Sequence, residues 1–199
     1  MDGECLLCSA VRDAIRFDSS PAIENTPLRE SERFLLIPCV GPLVAGQAII
    51  VSRHHFPSLA AMGEQALVEY DAFVRRILGT ERDWLEAEHG SAERDCAGAC
   101  VIHAHVHLIP GMARFAEVFD GVLPELGCGD QLQLPEQGIP YVFLRGGLGQ
   151  SRVFGGEGLP SQILRHTICA SLGREDCDWR KLPRNHLLAE TLLYWRSRG

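Results

Sequence analysis

Residues 101–109 read Val-Ile-His-Ala-His-Val-His-Leu-Ile, and they constrain the fold of this chain more than any other segment. Histidine and apolar residues alternate strictly, which is typical of a β-strand because successive side chains of a strand point to opposite faces. His103, His105 and His107 are therefore predicted to line one face at intervals of about 6.5–7 Å, while the residues between them enter a core. Three of the chain's eight histidines lie in this segment, which marks it as the candidate site.

Three imidazoles on one strand face allow three interpretations. The first is a surface strand that happens to be rich in histidine, which is disfavoured because histidine is not a typical strand residue. The second is a metal site, since imidazole is the commonest metal ligand. The third is covalent catalysis at phosphorus, in which an unprotonated imidazole attacks near neutral pH and a neighbouring imidazole holds the phosphoryl oxygens or moves a proton.

The pattern resembles the motif of the histidine-triad (HIT) family, His-φ-His-φ-His-φ-φ with φ an apolar residue, and residues 103–109 match every position. The preceding Ala-Gly at 97–98 and the following Pro110 also fit. Residues 42–55 are similar to the family's turn, glycine, strand and basic-histidine segment. The resemblance covers residues 1 to about 112, a little over half of the chain. It implies an α+β, HIT-like fold with an antiparallel sheet and flanking helices that binds a nucleotide.

The resemblance also implies a reaction. Family members release a nucleoside 5′-phosphate from a leaving group or transfer it, and they include phosphoramidate hydrolases, dinucleoside polyphosphate hydrolases and hexose-1-phosphate nucleotidyltransferases. By resemblance, His105 attacks the α-phosphorus and carries the nucleotidyl group, His107 contacts the phosphate, and the backbone carbonyl of His103 orients the nucleophile. The chain is thus interpreted as an enzyme, a nucleotide hydrolase or nucleotidyltransferase with these three catalytic histidines.

Residues 5–8 read Cys-Leu-Leu-Cys, a CxxC pair that alone fits a redox dithiol, half of a zinc site or two ordinary cysteines. Many HIT-like proteins and the galactose-1-phosphate uridylyltransferases are similar in carrying such a pair, which binds zinc together with two histidines. The resemblance implies zinc ligands Cys5, Cys8, His55 and His103. Two cysteines and two histidines make a closed, structural site. Spacing does not separate His54 from His55, and the resemblance favours His55.

The chain departs from the family pattern around the triad. Many members have Gln and Ser just before the triad, where Ala99 and Cys100 stand here, so Cys100 occupies a predicted substrate-binding position. The acidic residue that many members use on the ribose hydroxyls falls at Cys39. His89 stands near an Asn of the family and is either a substrate-binding pocket residue or a simple turn residue. These differences predict a substrate other than the common adenine dinucleotides.

Periodicity and turn residues outline the other elements. The predicted strands cover 33–37, 47–53, 99–109, 141–145 and 151–154, and the predicted helices cover about 63–78, 161–172 and 184–195. Residues 83–88 either continue the first helix or form another strand. Residues 111–138 are predicted to be mostly loop with one helical turn.

The chain is divided into a HIT-like catalytic domain, residues 1–112, and a C-terminal α/β extension, residues 113–199, which packs on the same domain and is expected to hold the substrate choice. Gln162 and Arg165 are three residues apart and share a helix face. They are predicted to bind substrate because a guanidinium suits a phosphate, and the alternative is a solvated helix face. Residues 178–180 and Trp195 are predicted to anchor the terminal helix.

Charge and composition bear on partner and compartment. Nineteen Lys and Arg against 26 Asp and Glu give a net charge of −7, which disfavours a nucleic-acid partner. No apolar stretch is long enough for a membrane span, and the acidic start does not resemble a signal peptide, so a cytoplasmic protein is expected. The eight cysteines then favour metal or redox chemistry over disulfides. The expected partner is a small nucleotide, and a homodimer is usual in the family.

Two competing functions remain open. A non-catalytic nucleotide-binding or interaction protein on a HIT scaffold with structural zinc would form no covalent adduct at His105. A redox or metal-relay protein built on Cys5 and Cys8 would lose function on oxidation rather than on replacement of His105.

Overall fold

The computed structural model describes residues 5–15, 22–90, 101–147, 149–175, 177–179, 181 and 185–198. Within these residues, strands form a single sheet in the order β1-β2-β3-β5-β4-β7-β8-β6, and all neighbouring strands are antiparallel. The strands are β1 (Arg29–Glu30), β2 (Phe34–Pro38), β3 (Ala48–Ser52), β4 (Trp84–Gly90), β5 (His105–Pro110), β6 (Glu125–Gly129), β7 (Tyr141–Gly146) and β8 (Ser151–Gly155). The α-helices are α1 (Leu6–Ala14), α2 (Glu64–Leu78), α3 (Ile163–Ser171) and α4 (Asn185–Arg196). The predicted α+β class is confirmed.

Helices cover both faces of the sheet. Apolar side chains of α2 and Trp195 of α4 pack on one face, against residues such as Val106 and Leu108 of β5. On the opposite face, α1 packs on β2 and β3, and α3 packs on β4, β7 and β8. Strands β2 and β3 are buried along their whole length, because apolar side chains on both of their faces meet a helix layer.

The predicted helix over about 63–78 is confirmed as α2. Its apolar residues recur at helical spacing and are buried, among them Tyr70 and Phe73. The helix ends at Gly79, whose φ of 55° lies in the left-handed region that glycine adopts without a steric penalty.

Residues 83–88 resolve into strand β4 rather than a continuation of α2. The carboxylates of Glu86 and Glu88 point into the core, where each is about 1% exposed. Arg145 of β7 binds Glu86 through Nε and Nη2, both at 2.7 Å, and the hydroxyl of Tyr70 donates to the same carboxylate at 2.7 Å. The strand is stable with buried acids because each carboxyl group is hydrogen-bonded, and the charge of Glu86 is also neutralised by Arg145.

Two predicted segments differ from the structure. The histidine strand begins at His105 rather than at residue 99, and residues 101–104 are not in a strand; residues 91–100 lie outside the described residues. The stretch 111–138 contains a 3-10 helix, Ala113–Glu117, and also the edge strand β6, which was not predicted. Glycines at 127 and 129 and a break in register hide the alternation of β6 from a sequence pattern.

The sheet continues across the predicted domain boundary at residue 112. Strand β4 pairs with β5 on one side and with β7 on the other, so the C-terminal strands extend the sheet that carries the histidines. Residues 1–112 and 113–199 share one sheet, so the division between them stays a prediction about which part is catalytic and which part selects the substrate.

A hydrogen bond to the rest of the chain and an internal cross-link hold the C-terminal segment in place. Trp195 is buried, and its indole Nε1–H donates to the carbonyl of Gly46 at 3.0 Å, as expected for an anchor of α4. Cys169 of α3 and Cys177 form a disulfide, which the cysteine count did not predict. In the described part of the chain, the helices are too short or too polar to cross a membrane.

Candidate active site and metal centre

A cavity of about 140 Å³ opens on the sheet face that carries α1 and α3. Its floor includes Ile49 of β3, Ala87 of β4, and His105 and His107 of β5. Strand pairing places His107 directly between Ile49 and Ala87, so β5 lies at the centre of the floor. The walls are largely apolar and come from α1, from the turn after β2 and from α3. The cavity therefore joins the histidine strand to the C-terminal segment.

The ring of His105 is held by the backbone two residues earlier. Its Nδ1 lies 2.6 Å from the carbonyl oxygen of His103, so Nδ1 carries the proton and donates it to that oxygen. The other ring nitrogen, Nε2, then keeps its lone pair. Burial lowers the pKa of His105, and the hydrogen bond to His103 opposes this in part. The ring is thus neutral and oriented, which is the state that a nitrogen nucleophile needs.

His107 lies next to His105, with ring centroids 5.4 Å apart and the planes edge to face. Burial, together with the nearby His105 and Arg165, lowers the pKa of His107 to about 3. Its Nδ1 is 3.7 Å from the Sγ of Cys39. Cys39 is buried, its thiol pKa is raised to about 11 by burial, and Gln47 donates to its sulfur at 3.5 Å. The residue beside His107 is therefore a neutral thiol.

His89 lines the same cavity, on β4. Continuing the β4–β5 register by two residues brings it beside His105. Burial, together with the nearby imidazole of His105, lowers the pKa of His89 to about 4. Its Nε2 is buried and has no hydrogen-bond partner. The structure thus places His89 in the pocket, and not in a turn.

The predicted pair also reaches the cavity: Gln162 directly precedes α3, Arg165 lies on it, and both are partly buried. Gln162 and Arg165 both line it. Arg165 donates from Nη2 to the carbonyl of Gly41 at 2.6 Å and from Nε to the carbonyl of Cys177. These backbone contacts occupy donors that a bidentate phosphate clamp would use, so Arg165 mainly contributes a fixed positive charge.

The four predicted zinc ligands come together on the other side of the triad. The Sγ of Cys5 and the Sγ of Cys8 each lie 3.5 Å from Nδ1 of His103, and Cys8 Sγ lies 3.3 Å from Nδ1 of His55. All four donor atoms lie within 4.8 Å of one another. In a tetrahedral zinc site, sulfur and nitrogen ligands are about 3.6 Å apart, so this donor set fits the ion in both chemistry and spacing.

His103 connects the cluster to the cavity. Its Nε2–H donates to the carbonyl of Ser52 at 2.8 Å, which leaves the lone pair of Nδ1 facing the two sulfurs. The residue precedes β5 and is about 1% exposed. Ala104 packs in the same cluster as Val106 and Leu108, so the alternation of side chains continues ahead of the strand, and His103 faces the side of the sheet that carries α1. There it contacts Cys5 and Cys8.

Two further predicted residues are placed as follows. His54 is exposed and contributes no donor atom to the cluster, which contains His55 instead. Cys100, predicted to bind substrate, lies outside the described residues.

Sequence reasoning missed part of the cavity wall. Trp179 was expected to anchor the terminal helix, but it lines the cavity, where it packs against Gly41. Leu6 and Leu7 lie between the two cysteines of the CxxC pair and line the cavity from α1. The CxxC pair could have indicated Leu6 and Leu7, because a metal that joins Cys5 and Cys8 to His103 also brings the two leucines close to the triad.

Fold and site define an α+β protein with a histidine-lined cavity and an adjoining Cys2His2 cluster. No protein-family model matches the chain. Adenylylsulfatase HINT3 of Arabidopsis thaliana is 27% identical over 122 residues, which are 57% of this chain and 55% of that protein. The chain thus spans about half the length of this curated relative.

Solved structures of histidine-triad proteins also align with the chain. A hypothetical histidine triad nucleotide-binding protein of Sulfolobus tokodaii is 25% identical at a TM-score of 0.41, over 53% of this chain and 68% of that one. A Zn-bound histidine triad family protein of Mycobacterium smegmatis is 22% identical at a TM-score of 0.39, over 54% and 74%. The motif at 103–109 and the HINT3 relative make this chain similar to histidine-triad proteins.

Proposed function

We propose that this protein is a nucleotide hydrolase or nucleotidyltransferase that attacks the α-phosphorus of a nucleoside 5′-phosphate conjugate through a covalent nucleotidyl-histidine at His105. The observation that carries the proposal is the 2.6 Å contact between His105 Nδ1 and the carbonyl of His103, because it leaves the lone pair of Nε2 for attack. The relative named adenylylsulfatase supports the hydrolase alternative, with an adenylyl conjugate as the first substrate to test.

The reaction has two displacement steps. A bond forms between His105 Nε2 and phosphorus while the bond from phosphorus to the leaving group breaks, and the leaving group departs with the electron pair and takes up a proton. The ring gains positive charge, which the carbonyl of His103 stabilises through the Nδ1 proton. Water, or another acceptor in a transferase, then forms a bond to phosphorus and loses a proton, while the bond between Nε2 and phosphorus breaks and its electron pair returns to Nε2.

The remaining triad and pocket residues are assigned to the substrate. His107, which is neutral, holds a phosphoryl oxygen by donating a ring N–H. Arg165 attracts the phosphate through its charge, while His89 and Gln162 contact the conjugate. Cys100 stays a predicted contact from the sequence alone.

The metal assigned to Cys5, Cys8, His55 and His103 is a structural zinc. With four protein ligands it has no open position, so it supplies cross-linking rather than chemistry. It would attach α1 to the segment that carries His103, whose carbonyl holds the nucleophile. This role is supported by the donor spacing within the cluster.

The test compares wild type with His105→Ala on adenylyl sulfate and on adenosine 5′-phosphoramidate, measuring release of AMP. Replacement of the nucleophile should lower the rate by at least about 10³-fold. His54→Ala is the matched control, because that histidine is exposed and outside both cavity and cluster. Intact mass after a rapid alkaline quench should show the nucleotidyl adduct in wild type only.

A non-catalytic nucleotide-binding protein on the same scaffold is the second candidate. It predicts that wild type binds AMP, forms no adduct and turns over neither conjugate. Full turnover by His105→Ala would instead exclude the covalent mechanism, while the protein would still be an enzyme that acts on these conjugates.

A further inference from the structure

Unsatisfied polar atoms in the cavity show which groups are built to meet a ligand. Within the described residues, three buried side-chain nitrogen or oxygen atoms have no partner, namely His89 Nε2, Ser151 Oγ and Gln162 Oε1. His89 and Gln162 both line the cavity that holds His105. A buried polar atom without a partner destabilises the fold, so two of them at one cavity indicate positions that a bound molecule fills.

Of these two residues, Gln162 is the one that the fold explains less well. Its φ of 62° is left-handed, and it is the non-glycine residue with positive φ in the described part of the chain. That conformation is unfavourable for a residue with a Cβ and natural for glycine. Gln162 directly precedes α3, yet its side chain makes no capping hydrogen bond to the helix. Neither backbone geometry nor capping therefore explains a glutamine at this position.

The surroundings hold Gln162 in place. Arg165, one turn further along α3, is bound to the carbonyls of Gly41 and Cys177, and the disulfide links Cys177 back to α3. Gln47, the other glutamine of the cavity, offers a contrast. Its Oε1 accepts from the Leu43 N–H at 2.7 Å and its Nε2 donates to Cys39, so its polar atoms are satisfied within the protein. Gln162 is the cavity glutamine whose amide oxygen has no hydrogen-bond partner within the described residues.

We propose that Gln162 is a specificity-determining residue, whose amide oxygen accepts a hydrogen bond from a neutral N–H donor of the substrate. The proposal rests on the proposed function, in that the substrate is a nucleotide conjugate held at His105. Such a donor has two sources, the exocyclic amino group of the base or an amine in the leaving group. In either case the residue that selects the substrate lies in the C-terminal segment, far in sequence from the triad.

The experiment measures selectivity in wild type and Gln162→Leu, an apolar replacement of similar size. One arm compares binding of AMP and inosine monophosphate, which differ in the exocyclic amino group. The other arm compares kcat/KM on adenosine 5′-phosphoramidate and adenylyl sulfate, since only the first has a leaving-group N–H. Loss of one hydrogen bond should reduce the relevant preference about 10-fold. Gln65→Leu, on the exposed surface of α2, is the matched control.

A second variant, Gln162→Gly, separates recognition from folding. Because glycine tolerates the left-handed backbone, it should unfold at the temperature of wild type or above while losing the same preference. A lower unfolding temperature would show that the glutamine is kept for the fold, and would overturn the proposal.

Each remaining outcome is decisive. Unchanged preferences in Gln162→Leu, with normal wild-type turnover, overturn the role of Gln162 and leave the function of His105 standing. Binding without turnover in wild type rejects the proposed reaction, and the AMP arm still decides on Gln162. A wild type that binds no nucleotide overturns both.

Discussion

The side chain of His103 faces Cys5 and Cys8, while its backbone carbonyl accepts the Nδ1 proton of His105 at 2.6 Å. One residue therefore contacts both the cysteine cluster and the proposed nucleophile. Movement of His103 would disturb the hydrogen bond that orients the ring of His105. We therefore expect the geometry of the cluster to affect the proposed reaction at His105.

Cys8→Ser should lower both the zinc content and the rate. Serine is a poor zinc ligand, so the ratio of zinc to protein measured by elemental analysis should fall well below one. The rate constant kcat should fall about 10- to 100-fold, as is typical when a supporting contact of a site is lost, with a smaller change in KM. Cys128→Ser, an exposed thiol on β6, is the control. A metal-free Cys8→Ser protein with wild-type kcat would contradict the coupling.

Gly41→Ala should damage the cavity wall. Gly41 has φ +65°, and an added Cβ would lie 2.8 Å from the Cβ of Trp179. We expect the free energy of unfolding to fall by about 1–3 kcal/mol and KM to rise, because Trp179 must move. Gly111→Ala is matched, since Gly111 has φ +75° but open space around it. It should lose about 1 kcal/mol and keep its KM, as measured by urea unfolding and steady-state kinetics. Equal KM effects in both variants would exclude the steric explanation.

Cys177→Ser should lower stability in the absence of reductant. The disulfide joins residues eight apart, and a loop of this size is expected to stabilise the native state by about 2.5 kcal/mol. A thiol reductant should bring the urea midpoint of wild type toward that of the variant. The midpoint of Cys128→Ser should stay at the wild-type value under both conditions. If the reductant leaves wild type unchanged and Cys177→Ser is equally stable, the disulfide does not stabilise this loop.

Glu88→Gln should change how stability depends on pH. Burial raises the pKa of Glu88 from 4.5 to about 7, against the opposing hydrogen bonds from Tyr141 and Leu59. The folded protein therefore holds a proton on Glu88 that the unfolded chain releases between about pH 4.5 and 7. The contribution of Glu88 to stability is full below pH 4.5, and it is lost progressively as the pH rises toward 7.

The variant lacks this titration, so wild type should lose stability relative to Glu88→Gln across that window. Urea unfolding at pH 4.5, 6 and 8 measures the difference. Glu64→Gln, an exposed change in the first turn of α2, should show no comparable trend. A constant difference between wild type and Glu88→Gln would contradict the raised pKa.

The triad and the cysteine ligands could be predicted from the sequence because each depends on a short local pattern. Alternation over a few residues identifies His105 and His107, and the CxxC pair supplies both of the sulfur ligands that the cluster needs. The same reasoning started the strand too early, at residue 99 instead of His105. A periodic pattern extends a strand until it is interrupted, and the pattern held no sign that the backbone leaves the sheet before His105.

The interior of β4 shows what local patterns do not contain. Glu86 and Glu88 alternate with apolar residues, as on a strand with one solvated face, yet both are buried. Their burial depends on Arg145 and Tyr141 from β7, more than 50 residues away. Likewise, Trp179 reaches the cavity through the disulfide and the contacts of Arg165, which come from tertiary structure and not from any nearby motif.

Strands β4 and β5 form the floor of the cavity, while Gln162, Arg165 and Trp179 supply part of its wall from a distant part of the sequence. Insertions or substitutions within residues 159–179 would change this part of the cavity wall without altering the strand that carries His105. Directed evolution of substrate range should therefore yield its productive variants in that segment, while variants in residues 101–110 should be recovered mainly as inactive clones.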